Sequence, residues 1–276
     1  MIDGINISKS SAIKLLAVVT ATDGYLQMSA GKCHWGVLTS PNEELHAIFR
    51  HLLYKSFGFT VLTHPARSGR YMVTEVYGKM YANAMSELKI LLENKLEFLF
   101  KEPKWFKLLA FRLAMDLEGS VNTKLMVKRK TYKNSSYFQF QFEPEIQLSC
   151  ADAIEAEQWK NIASNVGLKF TIGRSERSLQ GVDGIRTSDR IELAKFLSYN
   201  GFLTNVKITK SKSKLFSNNG YTKQCLLKAS LHILKEKGDL CSRYFRNIKD
   251  ANEYRKWFLE TVFLSTREKF SGLGRI

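Results

Sequence analysis

Two stretches of this chain share one pattern, and that repetition restricts the fold more than any other feature of the sequence. Residues 108–121 read LLAFRLAMDLEGSV, an apolar helical pattern that ends in an acid and a glycine and continues as a strand pattern. A looser copy, LLAVVTATDGYL, occupies residues 15–26. The two glycines, Gly24 and Gly119, lie 95 residues apart. The chain is therefore predicted to contain two related units, each opened by a buried helix.

The same order of elements follows each copy of the pattern. In the first unit we predict strands at 25–29 and 33–39, a helix that begins at Ser40-Pro41-Asn42-Glu43, strands at 59–63 and 71–76, and a helix over 79–93. In the second unit we predict strands at 120–130 and 137–148, a helix over 152–165, strands at 168–172 and 181–187, and a helix over 189–199. Each unit thus reads αββαββα. Residues after 207 have no counterpart in the first unit and become helical.

The charge of the chain indicates a polyanionic partner. The formal net charge is +16, and residues 201–276 alone hold 16 Lys/Arg against 6 Asp/Glu. Nucleic acid is the usual partner of such a surface, because binding releases the counterions held by the phosphates. The alternatives are a basic surface that serves solubility or one that contacts an anionic membrane.

Several classes of protein are disfavoured by the sequence. It contains no uncharged apolar run of about 18 residues, and residues 1–14 lack the pattern of a signal peptide. The cysteines are far apart and form no CxxC pair: Cys33, Cys150, Cys225 and Cys241. We therefore expect reduced thiols, no zinc site and an intracellular protein, in a bacterial or archaeal cytoplasm or in an organelle. The histidines are predicted to form no metal set: His34, His46, His51, His64 and His232.

The two motifs and the unit order resemble those of the LAGLIDADG homing endonucleases in their single-chain, two-repeat form. Set against the nine-residue family motif, residues 16–24 (LAVVTATDG) and 111–119 (FRLAMDLEG) share the penultimate acid and the final glycine. The resemblance covers residues 8–215. The family usually has a small residue at the third motif position, where this chain has Val18 and Leu113.

The resemblance implies an α+β fold. Two pseudo-symmetric αββαββα repeats would pack through their motif helices, and two antiparallel four-stranded sheets would form a DNA-binding saddle. The domains would be residues 1–100 and 101–206, followed by a basic helical extension over 207–276. We expect a monomer with internal pseudo-two-fold symmetry that binds double-stranded DNA. Because the two units differ so much, the target would be long and asymmetric.

Asp23 and Glu118 are the candidate catalytic and metal-binding residues. If the motif helices pack side by side, these acids meet at two helix C-termini, where a carboxylate is unfavourable. A divalent cation, Mg²⁺ or another, would remove the repulsion, bind the scissile phosphates and activate water. The alternative is that Asp-Gly and Glu-Gly are ordinary helix-stop signals. Asp116 lies two residues from Glu118, faces elsewhere, and is predicted to be structural or solvated.

The resemblance also implies further catalytic residues. Gln147, at the end of a strand, stands at the position of a pocket glutamine. Lys207 resembles a lysine that polarises the attacking water, and Lys101 or Lys104 would be its partner in the first unit. The alternative for each lysine is a solvated side chain or a phosphate contact.

The predicted strands and loops supply candidate nucleic-acid contacts. One register of strand 125–130 exposes Lys128 and Lys130. Gln139 and Gln141 share the face of Tyr137, opposite a face of phenylalanines, and are candidates for reading bases. Loop and extension residues predicted to reach DNA are Arg67, Arg70, Arg174, Arg177, Lys210 and Lys212.

These observations predict a Mg²⁺-dependent, site-specific double-strand DNA endonuclease of the kind encoded within introns or inteins. A first alternative is a non-cutting binder, similar to family members that became RNA maturases or DNA-binding regulators. The basic extension would suit intron RNA in that case. A second alternative is a basic globular protein whose two motifs coincide by chance.

Overall fold

The predicted αββαββα order is present twice in the computed structural model, which describes residues 7–22, 24–29, 32–40, 42–66, 69, 71–133, 135–174, 181–208 and 215–271. The first series is α1 (Lys9–Thr22), β1 (Tyr25–Ser29), β2 (Lys32–Ser40), α2 (Glu43–Phe57), β3 (Thr63–Pro65), β4 (Met72–Tyr77) and α3 (Ala82–Leu91). The second is α4 (Lys104–Leu117), β5 (Gly119–Tyr132), β6 (Ser135–Leu148), α5 (Ala153–Val166), β7 (Thr171–Arg174), β8 (Val182–Thr187) and α6 (Arg190–Ser198). The predicted α+β fold is confirmed.

Both antiparallel sheets have the same strand order. The first sheet runs β1-β2-β4-β3, and the second runs β5-β6-β8-β7. Numbered within its own repeat, each sheet therefore has the order 1-2-4-3. The second sheet also gains a strand from the C-terminal extension, β9 (Ser242–Phe245), which pairs antiparallel with β6. The repeat seen in the motifs thus extends to the topology of both sheets.

The first compact unit comprises Met1–Gly119, Leu148–Ile185 and Phe202–Val206. The motif helices α1 and α4 pack together in this unit, with α2 and α3 against α1 and α5 against α4. Val18 and Leu113, the bulky residues at the third motif position, are both fully buried. Most residues of both motif helices are buried, which explains why their sequences are so largely apolar.

The second compact unit comprises Ser120–Gln147, Arg186–Gly201 and Lys207–Ile276. Its extension contains α7 (Lys223–Glu236), strand β9, α8 (Ile248–Trp257), a π-helix (Phe258–Leu264) and α9 (Ser265–Phe270). The extension is therefore helical with one added strand. The compact units cut across the predicted boundaries at 100 and 206, so the division into repeats stays a prediction.

An aromatic cluster forms the core of the second unit. Phe140 and Phe142 alternate along the buried face of β6, as the period-two pattern predicts. The Phe258 ring lies 5.0 Å from that of Phe140 and 5.3 Å from that of Phe142. Phe263 lies 5.9 Å from Phe142. The extension thus packs on β6 through aromatic side chains.

Several boundaries differ from the sequence-based expectation: the strand predicted at 168–172 is found at Thr171–Arg174, and the helix predicted over 79–93 at Ala82–Leu91. Helix α2 begins at Glu43 with Asn42 as its N-cap, and Ser40 stays in β2, where its hydroxyl accepts the Asn42 N–H at 3.1 Å. The strand predicted at 59–63 is found at Thr63–Pro65. Phe59 instead packs edge-on to the Tyr81 ring at 4.6 Å, so its apolar character reflects packing of a loop.

Within the described ranges, no helix combines the length and the apolar character that crossing a membrane requires.

Candidate nucleic-acid interface and carboxylate site

The acid of the second motif, Glu118, closes helix α4. Its N–H donates to the Ala114 carbonyl at 2.9 Å, and its own carbonyl accepts the Ser149 N–H at 3.4 Å. Its side chain is half-buried. Backbone hydrogen bonds therefore fix Glu118 at the junction of α4 and β5, where its carboxylate meets the negative end of the helix dipole.

The glycine of the second motif is required by the same junction. A Cβ on Gly119 would lie 2.3 Å from the carbonyl oxygen of Met115. No side chain fits there unless α4 and β5 move apart. The final glycine of the motif thus has a steric cause that is independent of any activity.

Replacing Gly119 with alanine is expected to destabilise the protein by about 1–3 kcal/mol, the usual cost of forcing extra volume into a packed site. Urea unfolding measures the effect. Gly238→Ala is the control, because the space around its Cβ position is open. Equal losses for Gly119→Ala and Gly238→Ala would contradict the steric argument.

Asp116, the other acid of the second motif, has a structural role. It is fully buried and accepts the Leu203 N–H at 3.2 Å. Arg112, one helical turn earlier, donates to the Phe202 carbonyl at 3.3 Å. Burial lowers the pKa of Arg112, and the negative charge of Asp116 opposes that shift. The two side chains hold residues 202–203 against α4.

The acid of the first motif, Asp23, lies outside the described residues. Helix α1 ends at the preceding residue, Thr22, whose hydroxyl donates to the Val18 carbonyl at 2.9 Å. The Thr20 hydroxyl accepts the Trp35 indole N–H at 3.2 Å. The helix packing from which the carboxylate pair was predicted is present, while the pairing of Asp23 with Glu118 stays a prediction.

The side chains around Glu118 determine whether a divalent metal could bind there. Across the residues with described positions, no three His, Cys, Asp or Glu side chains are grouped to hold a metal. The Glu118 carboxylate offers the oxygen ligand that Mg²⁺ prefers. Burial raises the pKa of the Cys150 thiol well above its usual value, and the charges of Glu155, Asp152 and Glu118 raise it further.

Gln147 belongs to a polar network on one face of β5 and β6. The Asn122 amide donates to Glu145 Oε1 at 3.4 Å and to Gln147 Oε1 at 3.5 Å. Lys124 Nζ lies 2.8 Å and Arg186 Nε lies 4.0 Å from Glu145 Oε2. Glu145 is only 5% exposed, so these two cations offset a nearly buried charge. The sequence analysis missed this network, although the alternation of polar residues along β5 is a signal that indicates it.

The candidate lysines are all exposed: Lys207, Lys101 and the alternative to Lys101, Lys104. Lys207 forms an isolated backbone bridge with Thr222 in the second unit. Lys101 lies in the turn before α4 in the first unit. Their catalytic roles stay predictions.

The predicted base-reading face of β6 differs from expectation at one position. Gln141 is half-buried, and Lys128 and Lys130 on β5 are exposed. Gln139, however, is only 8% exposed, because its amide donates to Ser242 Oγ at 3.0 Å and to Tyr244 Oη at 3.2 Å. Gln139 is thus a contact to β9 in this structure, and its predicted role in reading bases stays a prediction.

Of the DNA contacts predicted in loops and in the extension, one lies within the described residues. Arg174 ends β7 and is exposed. The remaining predicted contacts lie outside the described residues: Arg67, Arg70, Arg177, Lys210 and Lys212.

The histidines of the first sheet have partners that the sequence analysis missed. His34 Nε2 lies 2.8 Å from Glu75 Oε2, and His64 Nε2 lies 3.2 Å from Glu75 Oε1. The strand register brings these side chains together, since Glu75 pairs with Gly36 on the strand of His34. His46 is buried between the Thr74 hydroxyl and the Ser40 carbonyl, each at 2.8 Å, and burial lowers its pKa. His46 therefore joins α2 to the first sheet.

Solved structures similar to this chain include the following two. The first, I-DmoI in complex with DNA and Mn, has 13% sequence identity and a TM-score of 0.47, over 70% of this chain and 98% of that chain. The second, the N-terminal LAGLIDADG domain of DUF199/WhiA, has 8% identity and a TM-score of 0.42, over 78% of this chain and 89% of that chain. No family model and no curated protein matches the chain. Family and activity therefore rest on the residues of this chain.

Proposed function

We propose that this chain is a site-specific double-strand DNA endonuclease of the LAGLIDADG homing type, which acts as a monomer on a long asymmetric target. One observation carries the proposal. Helices α1 and α4, whose sequences share an acid–glycine ending 95 residues apart, are packed neighbours in one compact unit. Chance turn signals would not require the two helices to share a core.

Asp23 and Glu118 are the proposed catalytic and metal-binding residues. Each follows the last residue of a motif helix, where the dipole disfavours a carboxylate by about 0.3–1 kcal/mol. Mg²⁺, or another divalent cation, would supply an activated water and stabilise the leaving oxygen of phosphodiester hydrolysis. Gln147, Lys207 and Lys101 would orient or polarise that water.

The exposed sheet faces are the proposed DNA-binding surface. Two-stranded ribbons fit the major groove, so Lys128 and Lys130 would contact phosphates while Gln141 reads base edges. The loop and extension residues proposed to add phosphate contacts are Arg67, Arg70, Arg174, Arg177, Lys210 and Lys212. With a net charge of +16, the affinity for DNA should fall steeply as salt rises.

A plasmid-cleavage assay with the full chain tests the proposal. The substrate carries the insertion region of the element that encodes the protein, and the reaction is run with Mg²⁺ and with EDTA. We expect one double-strand cut that requires the divalent cation. Binding to intron RNA with no DNA cleavage in any divalent cation would replace the endonuclease with an RNA maturase.

A further inference from the structure

Strand β9 adds new side chains to one face of the second unit. It pairs antiparallel with β6, with Gln139 opposite Tyr244 and Gln141 opposite Ser242. Directly paired residues of an antiparallel sheet point to the same side. Ser242 and Tyr244 therefore lie on the side of β6 that carries Tyr137, Gln139 and Gln141.

Lysines from β5 lie on this same side. Lys124 is paired with the Glu145 carboxylate of β6. Lys124 therefore lies on the same face of the sheet as the odd-numbered residues of β6. By alternation, Lys128 and Lys130 belong to that face too. We call Lys128, Lys130, Tyr137, Ser242 and Tyr244 the β9 face; all of them belong to the second compact unit.

Tyr244 of the β9 face is held in position and yet open to solvent. Tyr244 is 62% exposed, although its hydroxyl accepts a hydrogen bond from Gln139 at 3.2 Å. Its ring meets that of Tyr137 edge to face at 5.4 Å. An exposed aromatic side chain with a fixed orientation loses little entropy on binding, which is why such residues are frequent at binding sites.

Positive charge predominates in the chain segments that carry the β9 face. Residues 125–142 contain four Lys/Arg and no Asp/Glu, and residues 240–249 contain three Lys/Arg and no Asp/Glu. Arg246 and Lys249, which follow β9 directly, are exposed. A polyanion is the partner that this charge fits.

We propose that the β9 edge of this face, Tyr244 with Arg246 and Lys249, binds duplex DNA that flanks the cleavage target, next to the target contacts proposed for Lys128 and Lys130, and that Tyr244 contacts the flanking DNA directly. The duplex partner rests on the proposed endonuclease function. Arg246 and Lys249 would contact phosphates of the flanking DNA, and the Tyr244 ring would pack on its sugar-phosphate backbone. The extension would thus lengthen the DNA footprint and supply affinity with little sequence preference.

Binding of the full chain to two duplexes tests the inference. One duplex is limited to the minimal cleavable target and the other carries long flanks. Tyr244→Ala is expected to weaken binding to the long duplex about tenfold, equivalent to about 1.4 kcal/mol, and to leave binding to the short duplex unchanged. Tyr244→Phe, which keeps the ring, should retain most of the affinity for the long duplex. Tyr54→Ala is the matched control, because Tyr54 is 60% exposed on α2, outside the β9 face.

A salt titration with a second variant tests the inference without replacing Tyr244, so the result does not depend on how that replacement affects folding. The double variant Arg246→Gln/Lys249→Gln changes two exposed side chains after β9. On the long duplex it should reduce the slope of log K against log salt by about 0.9 for each lost phosphate contact, with no change on the short duplex. Unchanged slopes on both duplexes, or tighter binding of a single-stranded competitor than of the long duplex, would overturn the inference.

Cleavage of the short duplex by the same proteins separates the two proposals. Cleavage together with length-independent binding by all variants would refute the role of the β9 face and leave the endonuclease intact. No cleavage by the unsubstituted chain, together with the expected losses on the long duplex, would refute the endonuclease and support the β9 face.

Discussion

Replacing Glu118 with glutamine is expected to abolish double-strand cleavage while DNA binding persists. Glutamine keeps the size of the side chain but removes the negative charge that would hold a divalent cation. Because a bound cation contributes several kcal/mol to the transition state, and about 1.4 kcal/mol is tenfold in rate, the loss should be on the order of 10³-fold. The backbone hydrogen bonds of Glu118 do not depend on its carboxylate, so the fold should be retained.

The measurement is a comparison of the cleavage rate with the DNA dissociation constant for the same variant. Glu157→Gln is the control, because Glu157 is an exposed acid on α5 whose partner is Lys160 one turn away. It should cut at the rate of the unsubstituted chain. The matching variant Asp23→Asn should also lose double-strand cleavage. Full activity of Glu118→Gln would remove the carboxylate from the mechanism.

The elements that could be predicted from the sequence are those with local causes. Helix α1 (Lys9–Thr22) contains the helical part of the first motif copy, because its apolar residues and the glycine after it are signals contained within one stretch. Helix α6 begins after Asp189, whose carboxylate accepts the Ile191 and Glu192 N–H groups as a capping residue should. Glu118 likewise stands where the motif predicts, at the end of α4.

The elements that could not be predicted depend on pairing between distant residues. Strand β9 is only four residues long, and its partner strand is about a hundred positions earlier in the sequence. Nothing near Ser242 indicates that its hydroxyl will accept the Gln139 amide. Because this contact cannot be seen in the local sequence, the alternation along β6 predicts Gln139 to be exposed and to read bases. Glu75 joins His34 and His64 only through the register of three strands.

The second large effect is the loss of folding stability expected when Phe258 is replaced. Phe258 is fully buried where the extension packs on β6. Its ring is the member of the aromatic cluster that contacts both Phe140 and Phe142. It opens the π-helix, whose wider turn directs Phe258, Val262 and Phe263 into the core. Removing this ring leaves a cavity that the sheet and the helix cannot both move to fill.

Phe258→Ala should therefore cost about 3–5 kcal/mol, the usual range for a buried phenylalanine. Because the cavity lies where the extension packs on β6, hydrogen exchange of the β9 amides should accelerate more than that of α1 or α4, which lie in the other compact unit. Phe270→Ala is the control: Phe270 is in the same extension but 36% exposed, and its loss should cost less than about 1 kcal/mol. If both variants were equally stable, or if β9 exchanged no faster in Phe258→Ala, the extension would not be held by this cluster, and strand β9 would need another anchor on β6.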